Sequence, residues 1–335
     1  MLRRQLLTGS LAFGLLLSST ALHAQTAPPA AEVAQASFPA PSLQRDAAGL
    51  VTISGTAEDQ VICYTLDGTE PHGKSAPYLA SIDLSHGGKL KARILSKDRK
   101  IEGEVASAEY QPLPGHEPLS SSLVPVTQDR SWPGYDWTKR HAEVCAAVHR
   151  QNPQVIFIGD SITHFFGNGA VWKKNYEPLN TVDMGFGWDR TENVLWRLEH
   201  GELDGAAPKV AVVMIGTNNL ATNKNEEIAA GIKAICEEVH QRTASTKILL
   251  LGIFPRGEKP SALRDRIAYI NEAISKFNGT EGITYLDIGA KFINPDGTIS
   301  KDIMADFLHP TQKGYQIWVD AMAPTLDSLL GVAAK

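Results

Sequence analysis

Apolar positions along the chain follow two regimes. From about Ser42 to Tyr110 they come in short bursts: Leu50 to Ser54, Val61 to Leu66 and Lys89 to Leu95 carry β-branched residues or alternate with period two. Turn pairs such as Asp67-Gly68 and Gly87-Gly88 separate them, and the texture predicts a small all-β sandwich. Further on, the bursts become almost wholly apolar: Val155 to Ile158, Val182 to Met184, Val210 to Ile215, Ile248 to Phe254 and Ile283 to Ile288. Helical patterns lie between several of them, as at Glu226 to Arg242 and Leu263 to Phe277. Ahead of the first, Asp136 stands as an N-cap for a helix that sets Trp137, Cys145 and Val148 near one face. Apolar strands alternating with helices predict an α/β fold whose parallel sheet is covered on both sides, with its active site at the C-terminal strand ends.

The N-terminus reads differently. Arg3 and Arg4, the apolar stretch Leu11 to Leu17 and Ala-Leu-His-Ala ending at Ala24 form a signal-peptide pattern over residues 1–24, which predicts export to a bacterial periplasm or beyond. Arg3-Arg4 also fits a twin-arginine signal. The apolar run is broken by Thr8, Gly9, Gly14 and Ser18 to Thr20, which argues against a membrane span and so against stable membrane insertion. Residues 25–41, rich in Ala, Pro, Gln and Ser, read as a flexible linker. The expected organisation is then a β-sandwich module over 42–112 and an α/β domain over 113–335, entered through a Pro- and Ser-rich connection.

Composition narrows the function class. Of the 335 residues 43% are hydrophobic and 21% charged, enough for a sizeable core, and a net charge of -5 with scattered basic residues argues against nucleic acid as a partner. Three cysteines, Cys63, Cys145 and Cys236, have no close spacing, so neither a disulfide framework nor a zinc site is expected and at least one stays unpaired.

Chemistry enters at the strand ends. Val155 to Gly159 runs into Asp160-Ser161 just where a helix begins. Asp160 and Ser161 are both good N-caps, but a hydroxyl at a strand-to-helix turn is also rigidly held beside free backbone N–H groups, as a nucleophile requires. Gly185-Phe-Gly-Trp-Asp189 follows the second strand, Gly216-Thr-Asn-Asn219 the third, and Asp306-Phe-Leu-His309 stands near the C-terminus. Each fits a turn or cap; together they supply a nucleophile, a base, an orienting carboxylate and oxyanion donors.

These blocks, with Asp189-Arg-Thr-Glu-Asn-Val-Leu-Trp-Arg-Leu198 and Leu251-Gly-Ile-Phe-Pro-Arg-Gly-Glu-Lys-Pro260, resemble the SGNH (GDSL) hydrolase superfamily, and within it the platelet-activating-factor acetylhydrolase type. The resemblance spans roughly Asp136 to Leu330 and implies a flavodoxin-like three-layer sandwich. It implies Ser161 as nucleophile, His309 as base and Asp306 as the carboxylate that orients it. The implied oxyanion donors are the Ser161 N–H, the Asn218 side chain and the Trp188 N–H. Trp188 stands where the family has a glycine, which puts the shape of the pocket in question. No cofactor or metal is implied. His164, one turn beyond Ser161, is a competing base, and Arg256 and Lys259 are candidates for the pocket wall.

Upstream, Val61-Ile-Cys-Tyr-Thr-Leu-Asp-Gly-Thr-Glu-Pro71, Ser75-Ala-Pro-Tyr78 and Leu90-Lys-Ala-Arg93 resemble the small Ig-like module at the C-terminus of chitobiase and β-hexosaminidase, which serves as a glycan binder or a packing partner. The joint expectation is a secreted serine esterase acting on small-acyl esters, its expected partners being acetylated carbohydrates. Alternatives are a lysophospholipase, arylesterase or thioesterase of the same superfamily, or a catalytically weak glycan-binding protein.

Overall fold

Period-two alternation survives in the N-terminal strands because each has one face to bury. A computed structural model describes the protein over residues 38–332, so the expected signal peptide and the linker before Phe38 lie outside the described residues. Seven strands follow: β1 (Ser42–Arg45), β2 (Leu50–Ser54), β3 (Gln60–Thr65), β4 (Ala76–Pro77), β5 (Ile82–Asp83), β6 (Gly88–Ser96) and β7 (Glu102–Tyr110). They pair antiparallel in two sheets, ordered β1-β2-β5 and β4-β3-β6-β7. Val51 and Ile53 of β2 and Leu90, Ala92 and Ile94 of β6 point inward, making the Ig-like sandwich core.

The connection holds a two-stranded hairpin, β8 (Ser131–Trp132) and β9 (Tyr135–Asp136), that runs directly into α1 (Trp137–Gln151). Asp136 caps α1 as expected, its carboxylate accepting the Lys139 N–H at 2.9 Å. The buried face of α1 carries Trp137, Val144 and Val148, whereas Cys145, one residue round the helix, is only half-buried. That corrects the face read from the sequence.

Five parallel strands form the main sheet: β10 (Val155–Gly159), β11 (Thr181–Gly185), β12 (Val210–Met214), β13 (Lys247–Leu251) and β14 (Ile283–Leu286). Their order, β11-β10-β12-β13-β14, is the flavodoxin-like one, with the chain reversing direction on either side of β10. Strands buried on both faces need no alternation, and β10 and β12 are buried at every residue. Helices α2 (Ser161–Gly167), α3 (Ala170–Asn175) and α7 (Gln312–Leu330) cover one face, where Phe157, Phe166, Trp172 and Trp318 pack together. On the other lie α1 with α4 (Thr191–Arg197), α5 (Asn225–Arg242) and α6 (Ala262–Ser275). Thr311 caps α7, its hydroxyl accepting the Gly314 N–H at 3.3 Å. The three-layer architecture read from the sequence is the one observed.

Register brings the strand ends together. Gly159 lies opposite Gly185 in β11 and Met214 in β12, so the segments that follow these three strands leave the sheet at one level. A side chain at Gly185 would collide with the backbone of α2 at Thr163 and His164, so glycine there lets α2 settle on the sheet. The module's core and the α1 and α4 side of the main sheet form one continuous apolar cluster. No helix among the described residues is long and apolar enough to cross a membrane.

Candidate active site

Ser161 is placed by its neighbour. Asp160 caps α2 by accepting the Ile162 N–H at 2.9 Å, and the helix therefore begins at the serine. Burial pushes the Asp160 carboxyl up to about 7, with Asp189 adding to the rise while the Ile162 N–H and Arg256 oppose it. Ser161 Oγ lies 2.8 Å from His309 Nε2. On the far side of the ring, His309 Nδ1 is 2.7 Å from Asp306 Oδ2.

Asp306 is itself held. Its Oδ1 accepts the backbone N–H groups of His309 at 2.7 Å and Leu308 at 3.1 Å, a turn closed by Phe307 at φ +60°. Burial works to raise the Asp306 carboxyl, but the hydrogen bonds from His309 and its backbone prevail and hold it below the usual value. Because an ionised carboxylate can only accept, Nδ1 carries the hydrogen, leaving Nε2 free to accept from the serine hydroxyl.

His164 does not compete for that position. Its ring is buried against Tyr135, with centroids 5.2 Å apart, and its Nδ1 has no hydrogen-bond partner among the described residues. Burial, with Arg140 nearby, pushes its pKa down to about 3, so it is neutral at physiological pH.

The segments after β10, β11 and β12 bring the three expected oxyanion donors, Ser161, Trp188 and Asn218, to the same end of the sheet. Asn218 donates one amide hydrogen to the Asp189 carbonyl at 2.9 Å, which leaves its second hydrogen available. Next to it, Asn219 is buried and ties the loop to α4, accepting the Thr191 N–H at 3.0 Å and donating to Glu192 at 2.9 Å. Gly216, at φ +121°, makes the turn that precedes them. No acceptor is present for the Ser161 or Trp188 N–H among the described residues.

Trp188 adopts φ +61°, a left-handed conformation that favours glycine, which is why a glycine is expected at this position. Its indole leaves toward the rim rather than the interior. It is 41% exposed and stands edge-on to Trp132 with centroids 4.7 Å apart, beneath the Arg130 guanidinium.

Gln128 was not singled out from the sequence, yet it holds this loop. Its amide donates to the Gly187 carbonyl at 2.9 Å and to Asp189 at 2.5 Å. In a planar trans peptide the Trp188 N–H points opposite the Gly187 carbonyl, so this contact fixes its direction. Gln128, Arg130 and Trp132 all belong to the connection read as a mere crossing. The only sequence signal for them was a Trp-Pro-Gly turn flanked by polar side chains.

Beneath the loop, Asp189 and Arg197 form a buried ion-pair network. Asp189 receives Trp137 Nε1 at 2.7 Å and Arg197 Nε at 2.8 Å, and Arg197 also binds Glu202. Arg190 stands apart, paired with Glu192 at 2.9 Å. Trp172, Trp196 and Phe166 are core. Arg256 lines the cleft beside Asn218, whereas Lys259 is exposed and outside it. Cys63, Cys145 and Cys236 are all free thiols.

A second groove meets the first at Gln128, Arg130 and Arg190 and runs between the catalytic domain and the β module, where Asp67, Thr69 and His72 form its far wall. Lys74 of the module pairs with Asp136 at 2.9 Å and His72 approaches Asp129 at 3.5 Å, so the module is fastened next to the cleft.

Comparisons with known proteins agree with this layout. The model of the GDSL-like Lipase/Acylhydrolase family matches residues 157–317, and that of the Chitobiase/beta-hexosaminidase C-terminal domain matches residues 44–107. Human platelet-activating factor acetylhydrolase IB subunit alpha1 is 37% identical over 204 residues, 61% of this chain and 87% of its own length. The rat subunit alpha2 is 39% identical over 180 residues, 53% of this chain and 78% of its own. A solved structure assigned as an acylhydrolase, from Bacteroides fragilis, superposes with a TM-score of 0.50 at 18% identity, over 60% of this chain and 99% of that one, which speaks to the fold alone. With more than three quarters of both mammalian subunits matched at this identity, the chain belongs to the GDSL-like lipase/acylhydrolase family.

Proposed function

We propose that the protein is an exported serine esterase that removes small acyl groups, acetyl above all, from carbohydrate. The observation that carries the chemistry is the unbroken relay from Ser161 Oγ through the His309 ring to Asp306, with contacts of 2.8 and 2.7 Å. In this reading Ser161 attacks the acyl carbon while its proton passes to His309 Nε2. The oxyanion is met by the Ser161 N–H, the Trp188 N–H and the free Asn218 amide hydrogen, each such donor being worth about 3 kcal/mol of barrier. His309 then protonates the departing alcohol. Water, giving its proton to the same nitrogen, attacks the acyl-enzyme and releases the acid and the free serine.

Two features support carbohydrate as the alcohol. A chitobiase-type module is packed beside the cleft, and most residues that line the two grooves carry hydrogen-bonding side chains, set among apolar ones such as Leu220 and Leu263. Export is supported by the charged, apolar and small-residue pattern that ends at Ala24. A second reading, deacetylation of a lipid, is favoured by identity to subunits named platelet-activating factor acetylhydrolase. Turnover of acetylated xylan, acetylated sialic acid, acetylated chitin fragments and lysophospholipids, measured side by side for wild type and Ser161→Ala, tests the proposal. Acetate release from a sugar that vanishes in the variant supports it; turnover confined to the lipids refutes the carbohydrate assignment.

A further inference from the structure

The cleft that carries Trp188 and Asn218 is walled by Arg130, Arg190 and Arg256, and among the described residues no aspartate or glutamate lines it. This is unusual in a chain whose net charge is -5. Only Arg190 has a carboxylate partner, Glu192, a side chain 3% exposed. Among the described residues no carboxylate hydrogen-bonds to Arg256, which contacts the Thr217 carbonyl and hydroxyl at 3.4 and 3.3 Å and feels the buried Asp160 only at a distance, and none pairs with Arg130, which rests over the Trp188 ring. Arg256 is half-buried and Arg130 exposed. A half-buried guanidinium with no carboxylate hydrogen-bonded to it, beside a second arginine free of acidic partners and next to a reactive site, favours an external anion.

We propose that Arg130 and Arg256 bind a carboxylate carried on the sugar that bears the acetyl ester, so that the substrate is an O-acetylated acidic carbohydrate. The inference rests on the esterase reading above and adds the charge of the alcohol. Asn193, Thr217 and Thr222 offer hydrogen-bonding groups to sugar hydroxyls, while Leu220, Ala221 and Leu263 supply the apolar part of the same wall; an acidic sugar uses both the charge and the hydroxyl partners. Beyond Gln128 and Arg130 the cleft continues into the groove at the β module, which leaves room for neighbouring sugar units. Arg256 stands on the Ser161 side, near enough to Asp160 to lower its carboxyl's affinity for a proton, and Arg130 on the module side, so the anion would sit between the reacting ester and that outer groove.

Two matched ester pairs test this in the full mature chain: an acetylated methyl glucuronoside against the corresponding acetylated methyl glucoside, and 4-acetoxybenzoate against its methyl ester. For each pair the readout is the acid-to-neutral ratio of kcat/KM. The ratio should exceed roughly tenfold in low salt for both pairs, shrink as ionic strength rises, and fall by roughly tenfold in Arg130→Gln and in Arg256→Gln. Thermal melts establish that the variants fold, and Arg256→Lys, which keeps the charge but not the fork, should retain part of the preference. Equal turnover of charged and neutral partners, or a ratio unmoved by either substitution, overturns the arginine site and leaves the carbohydrate esterase standing. A charge preference on the aryl pair with both sugars inert overturns the acidic-sugar substrate together with the carbohydrate reading. Faster cleavage of an acetylated phospholipid than of the glucuronoside assigns the anion to a lipid phosphate and overturns the proposal.

Discussion

Replacing Trp188 separates two effects that act on one residue, backbone strain and side-chain contact. At φ +61° a non-glycine residue is destabilised by about 1–2 kcal/mol. The indole is 41% exposed, so somewhat more than half of it is covered. Taking ~100 Å² of covered apolar surface at about 25 cal/mol per Å² gives a ceiling near ~2.5 kcal/mol. The edge-on contact with Trp132 adds about 0.5–1.5 kcal/mol. Trp188→Ala loses these contacts and keeps the strain, so it should unfold about 2–3 kcal/mol more easily. Trp188→Gly loses the same contacts but relaxes the backbone. After the extra freedom of glycine in the unfolded chain is set against that relief, it should be about 1 kcal/mol more stable than the alanine variant. Urea unfolding of the three proteins at equal slope measures both differences. An alanine variant as stable as the glycine one would refute the strain argument. The same proteins address the acyl pocket: if the indole limits acyl length, kcat/KM for p-nitrophenyl butyrate and octanoate should rise relative to acetate in both variants, and an unchanged profile would remove Trp188 from the pocket wall.

Three further expectations concern the support beneath the site. Gln128→Leu frees the Gly187 carbonyl, so kcat for p-nitrophenyl acetate should drop several-fold with KM little changed, whereas a purely structural role would lower only the melting temperature. Arg197→Met strands Asp189 and Glu202 as buried unpaired carboxylates and should destabilise by about 3–5 kcal/mol in chemical denaturation; a loss under about 1 kcal/mol would mean that the network contributes little. Asp160 titrates near 7 when folded and near ~4 when unfolded, so the unfolded chain releases that proton first. Wild type should therefore lose stability relative to Asp160→Asn as the pH rises through that window, and parallel stability curves for the two proteins would contradict the assignment.

Strands buried on both faces were the most legible part of the sequence. Val155 to Ile158 and Val210 to Ile215 needed only a run of apolar residues to be recognised, and their observed ends differ by a residue. Strand β7, Glu102–Tyr110, escaped because it lies at a sheet edge where glutamate, alanine and serine alternate half-exposed, with no apolar signal to read. The arrangement of Ser161, Asp306 and His309 was readable because short motifs carried it, the carboxylate and the imidazole lying three residues apart. Gln128 and Arg130 had no such motif. Their roles depend on a connection that folds back over the strand ends, a tertiary contact that no local pattern encodes. The position of Trp188 was readable but its direction was not, since the left-handed backbone that turns the indole to the rim exists only once the loop is closed.

The most direct test of the central claim is to trap the acyl-enzyme. Wild-type protein mixed with p-nitrophenyl acetate, quenched in acid within the first turnover and digested, should yield one acetyl group on the peptide containing Ser161. His309→Ala should fail to form the adduct on the same time scale while remaining folded. Acetyl on any other residue, or undiminished p-nitrophenol release by Ser161→Ala, would contradict the account.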